Sequence, residues 1–169
     1  MLSLIFTISR EQQVVSGVMK KRRYGVMIRI ENIRNVRYEK YDEVWAIVRS
    51  MKNTSQHMKQ VPELSPSLNL FFKYRELANS KQWSKETFDK IYVPQFIHEM
   101  HEKTAIDKLN ELWQRDKNGE NICLTCFCTT ENMCHRSIVA GLLQGVGCDV
   151  QTERNTNYSK YYDMWKQTT

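Results

Sequence analysis

The stretch 121–151, NICLTCFCTTENMCHRSIVAGLLQGVGCDVQ, decides the fold that the sequence predicts. Its first part, 121–128, is a short and almost wholly apolar run, which is typical of a strand buried on both faces. After a polar turn at 129–132, the segment 134–143 carries its apolar residues at helical spacing, and two glycines follow it. A second short strand is predicted at 148–151. This order of strand, turn, helix, turn and strand is that of a βαβ unit, so we expect a parallel sheet.

The remainder of the chain adds further strands and helices to this unit. Apolar and β-branched residues predict strands at 2–8 and 24–30. Ser84 is placed to cap a helix, because a serine at that position accepts a hydrogen bond from the first turn. Further helices are predicted at 41–51, 84–100 and 104–115, and another begins at Leu68. A loop is predicted at 52–67. We therefore predict an α/β fold, a single three-layer domain over residues 1–169 with a mainly parallel sheet flanked by helices.

Composition restricts the class of protein. The chain has 169 residues, of which 41% are hydrophobic, and this length suits one core. No stretch reaches the roughly 20 apolar residues of a membrane helix, so no membrane partner is expected. Four of the five cysteines lie within 123–134, which argues against a secreted disulfide framework and favours a reducing cytoplasm. The net charge of +6 and the run KKRR at 20–23 favour an anionic partner, although such a run is also typical of a solvated turn.

The cysteine-rich stretch has more than one chemical interpretation. Cys126, Cys128, Cys134 and His135 are ligands of the type that zinc prefers, but all four come from one strand-turn-helix, whereas structural zinc sites usually combine two distant pairs. We therefore expect no cofactor, with zinc as the less favoured alternative. Cys123 and its neighbours in the strand also fit the role of small apolar core residues.

An anion site is the third interpretation. The turn between Cys128 and Arg136 lies at the carboxyl end of a predicted strand, where α/β sheets place their ligand sites. The helix that begins near Cys134 would offer unpaired N–H groups to an anion and lower the pKa of a thiol. Arg136 adds a guanidinium suited to phosphate, and His135 can move a proton near neutral pH.

These residues resemble a known family. LTCFCTTENMCHRSIVAGLL at 124–143 is similar to the strand-turn-helix signature of the domain-of-unknown-function family 488, and VPELSPSLNLFFKY at 61–74 and FDKIYVPQFIHEM at 88–100 extend the resemblance to about 61–148. The resemblance implies a Rossmann-like fold and an origin in bacteria or their phages. The residues that match its signature are Cys128, Cys134, His135 and Arg136, with Ser65 and Ser67 as further contributors.

The functional hypothesis is a small cytoplasmic protein that binds a phosphate-bearing ligand, a nucleotide or nucleic acid, at the Cys-His-Arg turn. Arg136 and Cys128 would hold the ligand, and the loop with Ser65 and Ser67 would close over it. If the protein is catalytic, Cys134 or His135 would act as nucleophile or general acid/base.

The alternative hypothesis is a protein-interaction module without enzyme activity, such as a phage-encoded inhibitor of a host factor. Its contact surfaces would be the basic run 20–23 and the aromatic C-terminal tail 151–169.

Overall fold

The computed structural model of the protein describes residues 28–52 and 56–168. Its strands are β1 (Ile28–Asn32), β2 (Glu43–Ala46), β3 (Met58–Gln60), β4 (Ile122–Cys126) and β5 (Val150–Gln151). They form one parallel sheet in the order β3-β2-β4-β1-β5. The predicted α/β class and parallel sheet are confirmed.

Helices flank this sheet, and a short π-helical turn, Phe88–Tyr92, joins two of them. The helices are α1 (Leu68–Asn79), α2 (Lys85–Thr87), α3 (Val93–Glu99), α4 (Lys103–Lys117), α5 (His135–Gly145) and α6 (Lys160–Gln167). The predicted cap at Ser84 is confirmed, because its side chain accepts a hydrogen bond from the Thr87 N–H. None of the helices in the described part of the chain is long and apolar enough to cross a membrane.

Strand β4 is the centre of the sheet. All five of its residues are buried, as the apolar run predicts for a strand covered on both faces. Ile122 pairs with Ile28 on one side and with Glu43 on the other. The chain then passes through α5 and returns to the same sheet as β5, beyond β1. The βαβ unit therefore exists as predicted.

Two local predictions are wrong. The segment 41–51 is not a helix, because β2 occupies Glu43–Ala46, and residues 44–48 are buried without interruption. A short apolar run can fit helical spacing by chance. In this segment, β-branched residues and pairing with β4 favour a strand. The predicted loop at 52–67 contains β3 and a 3₁₀ turn at Pro62–Leu64. The predicted strand at 2–8 and the basic run 20–23 lie outside the described residues.

Helix α5 lies inside the protein, since its residues 135–143 are all buried. The C-terminal segment crosses it at close range: a Cβ atom at Gly141 would overlap the carbonyl oxygen of Tyr158, and one at Gly145 would overlap the Tyr162 ring. Tyr161 is buried in the same contact. The aromatic tail is thus largely part of the core around α5.

Candidate functional site

The candidate site lies where β4 ends and α5 begins. Cys126 is the last residue of β4, and Cys128 lies in the loop that follows. A 3₁₀ turn at Glu131–Met133 brings the chain back, and Cys134 then caps α5 by accepting a hydrogen bond from the Arg136 N–H, with 3.5 Å between nitrogen and sulfur. The strand and the helix therefore bring cysteines that are eight residues apart to one point.

Three thiols and one imidazole meet there. The Sγ atoms of Cys126 and Cys134 are 3.1 Å apart. One ligand atom from each of Cys126, Cys128, Cys134 and His135 lies within 4.8 Å of every other, so the four residues could hold a metal ion. Cys128 is partly exposed and the other three residues are buried. The sequence interpretations of these residues therefore all concern a single cluster.

Arg136 is the charged centre of the cluster. Its side chain is 0% exposed, and Nη1 lies 3.4 Å from the Cys126 Sγ and 2.8 Å from the carbonyl oxygen of Cys128. Nη2 donates to Glu153 Oε1 at 3.1 Å, whereas the buried Nε has no hydrogen-bond partner. The guanidinium thus faces the thiols and Glu153 from inside the protein rather than from solvent.

Neighbouring polar groups fix the partners of Arg136. Asn32 Nδ2 donates to the same Cys128 carbonyl oxygen at 2.8 Å. Glu131 accepts hydrogen bonds from the Glu153 N–H at 2.7 Å and from the Tyr158 hydroxyl at 2.9 Å. These contacts tie the end of β1, the turn before α5 and the C-terminal segment to the thiol cluster.

The environment concentrates negative charge on Cys126. Hydrogen bonds from the Cys128 and Cys134 thiols, with the nearby Arg136, hold the pKa of Cys126 far below its ordinary value, although burial opposes them. The hydrogen bond to Cys126 raises the pKa of Cys128 to about 12, and burial raises the pKa of Cys134. These shifts favour Cys126 over Cys128 and Cys134 as the thiol of the cluster that loses its proton first.

His135 is oriented by the main chain. Its Nε2 lies 2.8 Å from the carbonyl oxygen of Ile47, which can only accept, so Nε2 carries the proton. Nδ1 is then an acceptor, and it lies 3.8 Å from the Cys134 Sγ. The Phe96 ring packs against the imidazole at a centroid distance of 5.6 Å. This arrangement directs the lone pair of His135 toward the thiols.

A pocket of about 430 Å³ opens onto the cluster. Cys126, Cys128, Cys134 and His135 line it. The lining also includes four aromatic residues, the aromatic wall of the pocket, which are Phe71, Tyr74, Trp83 and Tyr92. Arg49, an exposed residue, lines the pocket as well. A ligand in this pocket would meet aromatic rings, a cation and the thiol cluster together.

Two serines singled out by the sequence lie outside this pocket. The Ser65 hydroxyl donates to the Pro62 carbonyl oxygen, and the Ser67 hydroxyl donates to Glu99 and caps α1. Both line a neighbouring groove with Glu99, and only Pro66 between them reaches the thiol-lined pocket.

Sequence reasoning treated Cys126 as a zinc ligand or a core residue and did not single out Glu153. It did not place Arg49 or the aromatic wall beside the cysteines, because these residues are distant from them in sequence and only tertiary packing brings them to the same pocket.

The fold and the site define a parallel α/β protein with a thiol–arginine centre at the carboxyl edge of its sheet. Residues 28–147 match a family model described as the active DUF488-N3 subclade, and the chain belongs to the DUF488 family. The resemblance inferred from the Cys-His-Arg signature is thereby confirmed, and the match extends further toward the N-terminus than the motifs did. No curated protein and no solved structure shows significant similarity to the chain.

Replacing Arg136 tests its place in the interior. Arg136→Met keeps an apolar side chain but removes the donor to the Cys126 sulfur and to Glu153 and one of the two donors to the Cys128 carbonyl, so the free energy of unfolding should fall by about 2 kcal/mol. Arg37→Met, at an exposed position, should change it by less than about 0.5 kcal/mol. Urea denaturation measures both variants, and equal stability of the two would contradict a structural role for the guanidinium.

Proposed function

We propose that this protein binds a nucleotide in the thiol-lined pocket and that the Cys126 thiolate attacks the bound ligand. The observation that carries the proposal is the pocket itself, which joins an aromatic wall, an exposed arginine and a charged thiol cluster in about 430 Å³. This volume lies within the range of small-molecule sites. Free thiols require a reducing compartment, so the proposal places the protein in the cytoplasm.

The aromatic wall supports a planar ring as part of the ligand. Tyr74 and Trp83 meet edge to face with their ring centroids 4.7 Å apart, and Trp83 packs against Tyr92 in the same way at 5.7 Å. Such contacts hold the rings in place, so little conformational entropy is lost when a ligand binds against them. Stacking of a base on an aromatic side chain contributes about 1–3 kcal/mol. A nucleobase is therefore a suitable occupant for this side of the pocket.

Arg49 supports an anionic group on the same ligand. Its Nε and Nη2 both donate to the Pro66 carbonyl oxygen, at 3.0 and 2.9 Å, which fixes the guanidinium beside the pocket. The phosphate role that the sequence gives to Arg136 passes to Arg49 in this proposal, because Arg136 is buried behind Cys126. Arg136 is instead a positioning residue that stabilises the thiolate.

The thiol cluster supports covalent chemistry. In the proposed step, the Cys126 sulfur forms a bond to an electrophilic atom of the ligand, and the leaving group departs with the electron pair of the bond that breaks. The Cys134 thiol, 3.1 Å from Cys126, is the nearest proton donor, and His135 Nδ1 can return a proton to it. Cys134 and His135 keep the acid–base roles that the sequence favours, whereas the nucleophile becomes Cys126.

Isothermal titration with the four common nucleoside monophosphates and their nucleosides tests the binding proposal. At least one nucleotide should bind, about tenfold more tightly than its nucleoside, because Arg49 pairs with the phosphate. Arg49→Ala should remove this difference and leave nucleoside binding unchanged.

Arg37→Ala is the matched control, since Arg37 is exposed and does not line the pocket. It should bind like the unmodified protein. If none of the nucleotides binds, or if Arg49→Ala binds them as the unmodified protein does, the nucleotide proposal is wrong.

A zinc centre is a second candidate for the same cluster. The observation in its favour is His135, whose Nε2–H bonds to the Ile47 carbonyl and directs Nδ1 to the three thiols, as the outer partners of zinc-bound histidines do. Three thiols and an imidazole also form a donor set typical of structural zinc. Zinc bound there would hold the β4 end against α5.

Competition between the protein and a chromogenic chelator for Zn²⁺ decides between the candidates. A zinc centre predicts one bound ion, lost in Cys134→Ser and kept in Cys148→Ser, and a melting temperature that falls when the metal is removed. The thiolate proposal predicts that the metal-free protein keeps its melting temperature and that both variants respond to Zn²⁺ alike.

A further inference from the structure

We infer that Cys126 and Cys134 form a reversible disulfide when the pocket admits a peroxide. The inference shares the Cys126 nucleophile with the proposed function, but it rests on the placement of the two sulfurs, 3.1 Å apart, and does not depend on which ligand the pocket binds. It gives the cluster a second substrate class, hydroperoxides, and makes the nucleophile sensitive to oxidation.

Proximity is the first argument. The Cys126 and Cys134 Sγ atoms are 3.1 Å apart, whereas a disulfide bond measures about 2.0 Å, so bond formation requires a sulfur movement of about 1 Å. Cys134 precedes α5 and Cys126 ends β4, so the two sulfurs already face each other in the folded chain.

The two sulfurs have different roles. Cys126 is the attacking group, because Arg136 Nη1 lies 3.4 Å from its sulfur and stabilises negative charge there. Cys134 is the partner sulfur, because it is buried 3.1 Å from Cys126. His135 Nδ1, 3.8 Å from the Cys134 sulfur, is placed to remove its proton at the second step. One cysteine is thus the peroxide-reactive group and the other is the resolving group.

Access separates these cysteines from the others. Cys126 and Cys134 line the pocket, which has room for a small peroxide. Cys123 and Cys148 are buried elsewhere, do not line the pocket, and have pKa values raised to about 12 by burial. Oxidation should therefore be selective for the cluster.

The chemistry balances in two steps. First, the Cys126 thiolate attacks the peroxide, a sulfur–oxygen bond forms as the O–O bond breaks, and the departing alkoxide or hydroxide takes a proton from water. Second, His135 removes the Cys134 proton, the Cys134 sulfur attacks Cys126, and the sulfenic oxygen leaves as water with that proton. The two sulfurs lose two electrons and the peroxide gains them. A dithiol reductant reverses the change.

The test exposes the folded, metal-free full chain to equimolar hydrogen peroxide, blocks the remaining thiols in denaturant, and analyses peptides cleaved after glutamate. Cleavage after Glu131 places Cys126 and Cys134 in different peptides, so a disulfide links the two by mass, and fragmentation of the linked pair distinguishes Cys126 from Cys123 and Cys128, and Cys134 from Cys148. We expect the protein to lose two hydrogens in mass, the two peptides to be linked, and dithiothreitol to restore both thiols.

Variants make the result decisive. Cys134→Ser should stop at a sulfenic acid on Cys126, one oxygen heavier and trapped by dimedone, whereas Cys148→Ser should form the disulfide at the rate of the unmodified protein. A disulfide that persists in Cys134→Ser, or a folded protein whose Cys126 and Cys134 both stay reduced, would overturn the inference. Nucleotide titration of the same samples is a separate readout, so failure of one proposal is distinguished from failure of the other.

Discussion

A guanidinium without solvent contact constrains this structure more than any other group. Burying an unpaired arginine would cost several kcal/mol, so the partners of Arg136 must be in place whenever the chain is folded. They come from separate parts of the chain, namely the sulfur of Cys126, the main chain of Cys128 and the carboxylate of Glu153. The end of β4, the following loop and the C-terminal segment are therefore held together by one side chain.

The same constraint connects the fold to the chemistry of the pocket. Glu153 neutralises part of the buried charge, and Glu131 fixes the Glu153 main chain while it accepts the Tyr158 hydroxyl. Arg136 Nη1 also contacts the Cys126 sulfur, and Cys126 lines the pocket. Arg136 thus contacts both Glu153 in the C-terminal segment and the Cys126 sulfur in the pocket, so a change at Glu153 would alter the surroundings of Cys126.

The sequence was most informative where a periodic pattern coincided with local structure. The apolar run ending in Cys126 and the helical spacing after Cys134 predicted β4 and α5, because both patterns are set by residues close in the chain. The helix predicted at 41–51 failed for the opposite reason, since the strand β2 that occupies this segment is held by pairing with β4, which is distant in sequence. The Cys-His-Arg signature also predicted the family, which the match over residues 28–147 confirms.

The roles within the site could not be read from the chain alone. Which of the three thiols has the lowest pKa depends on their hydrogen bonds to one another and on the nearby Arg136, and an arginine in the first turn of a helix gives no sign in sequence that it points inward. The aromatic wall comes from α1, from the segment that follows it and from the π-helical turn, so only tertiary packing brings Trp83 near Cys126. The serines at 65 and 67 had suitable chemistry, but in the structure their hydroxyls donate hydrogen bonds to the Pro62 carbonyl and to Glu99.

Competitive alkylation of the folded, metal-free protein is the most direct test of a thiolate on Cys126. Limiting iodoacetamide at neutral pH, followed by tandem mass spectrometry of the peptide that carries the cluster, gives the relative rates for Cys126 and Cys128. Cys128 is the most exposed of the five cysteines, so a cluster without charge would react there first. The account predicts that Cys126 reacts faster in spite of its burial, and faster modification of Cys128 would contradict it.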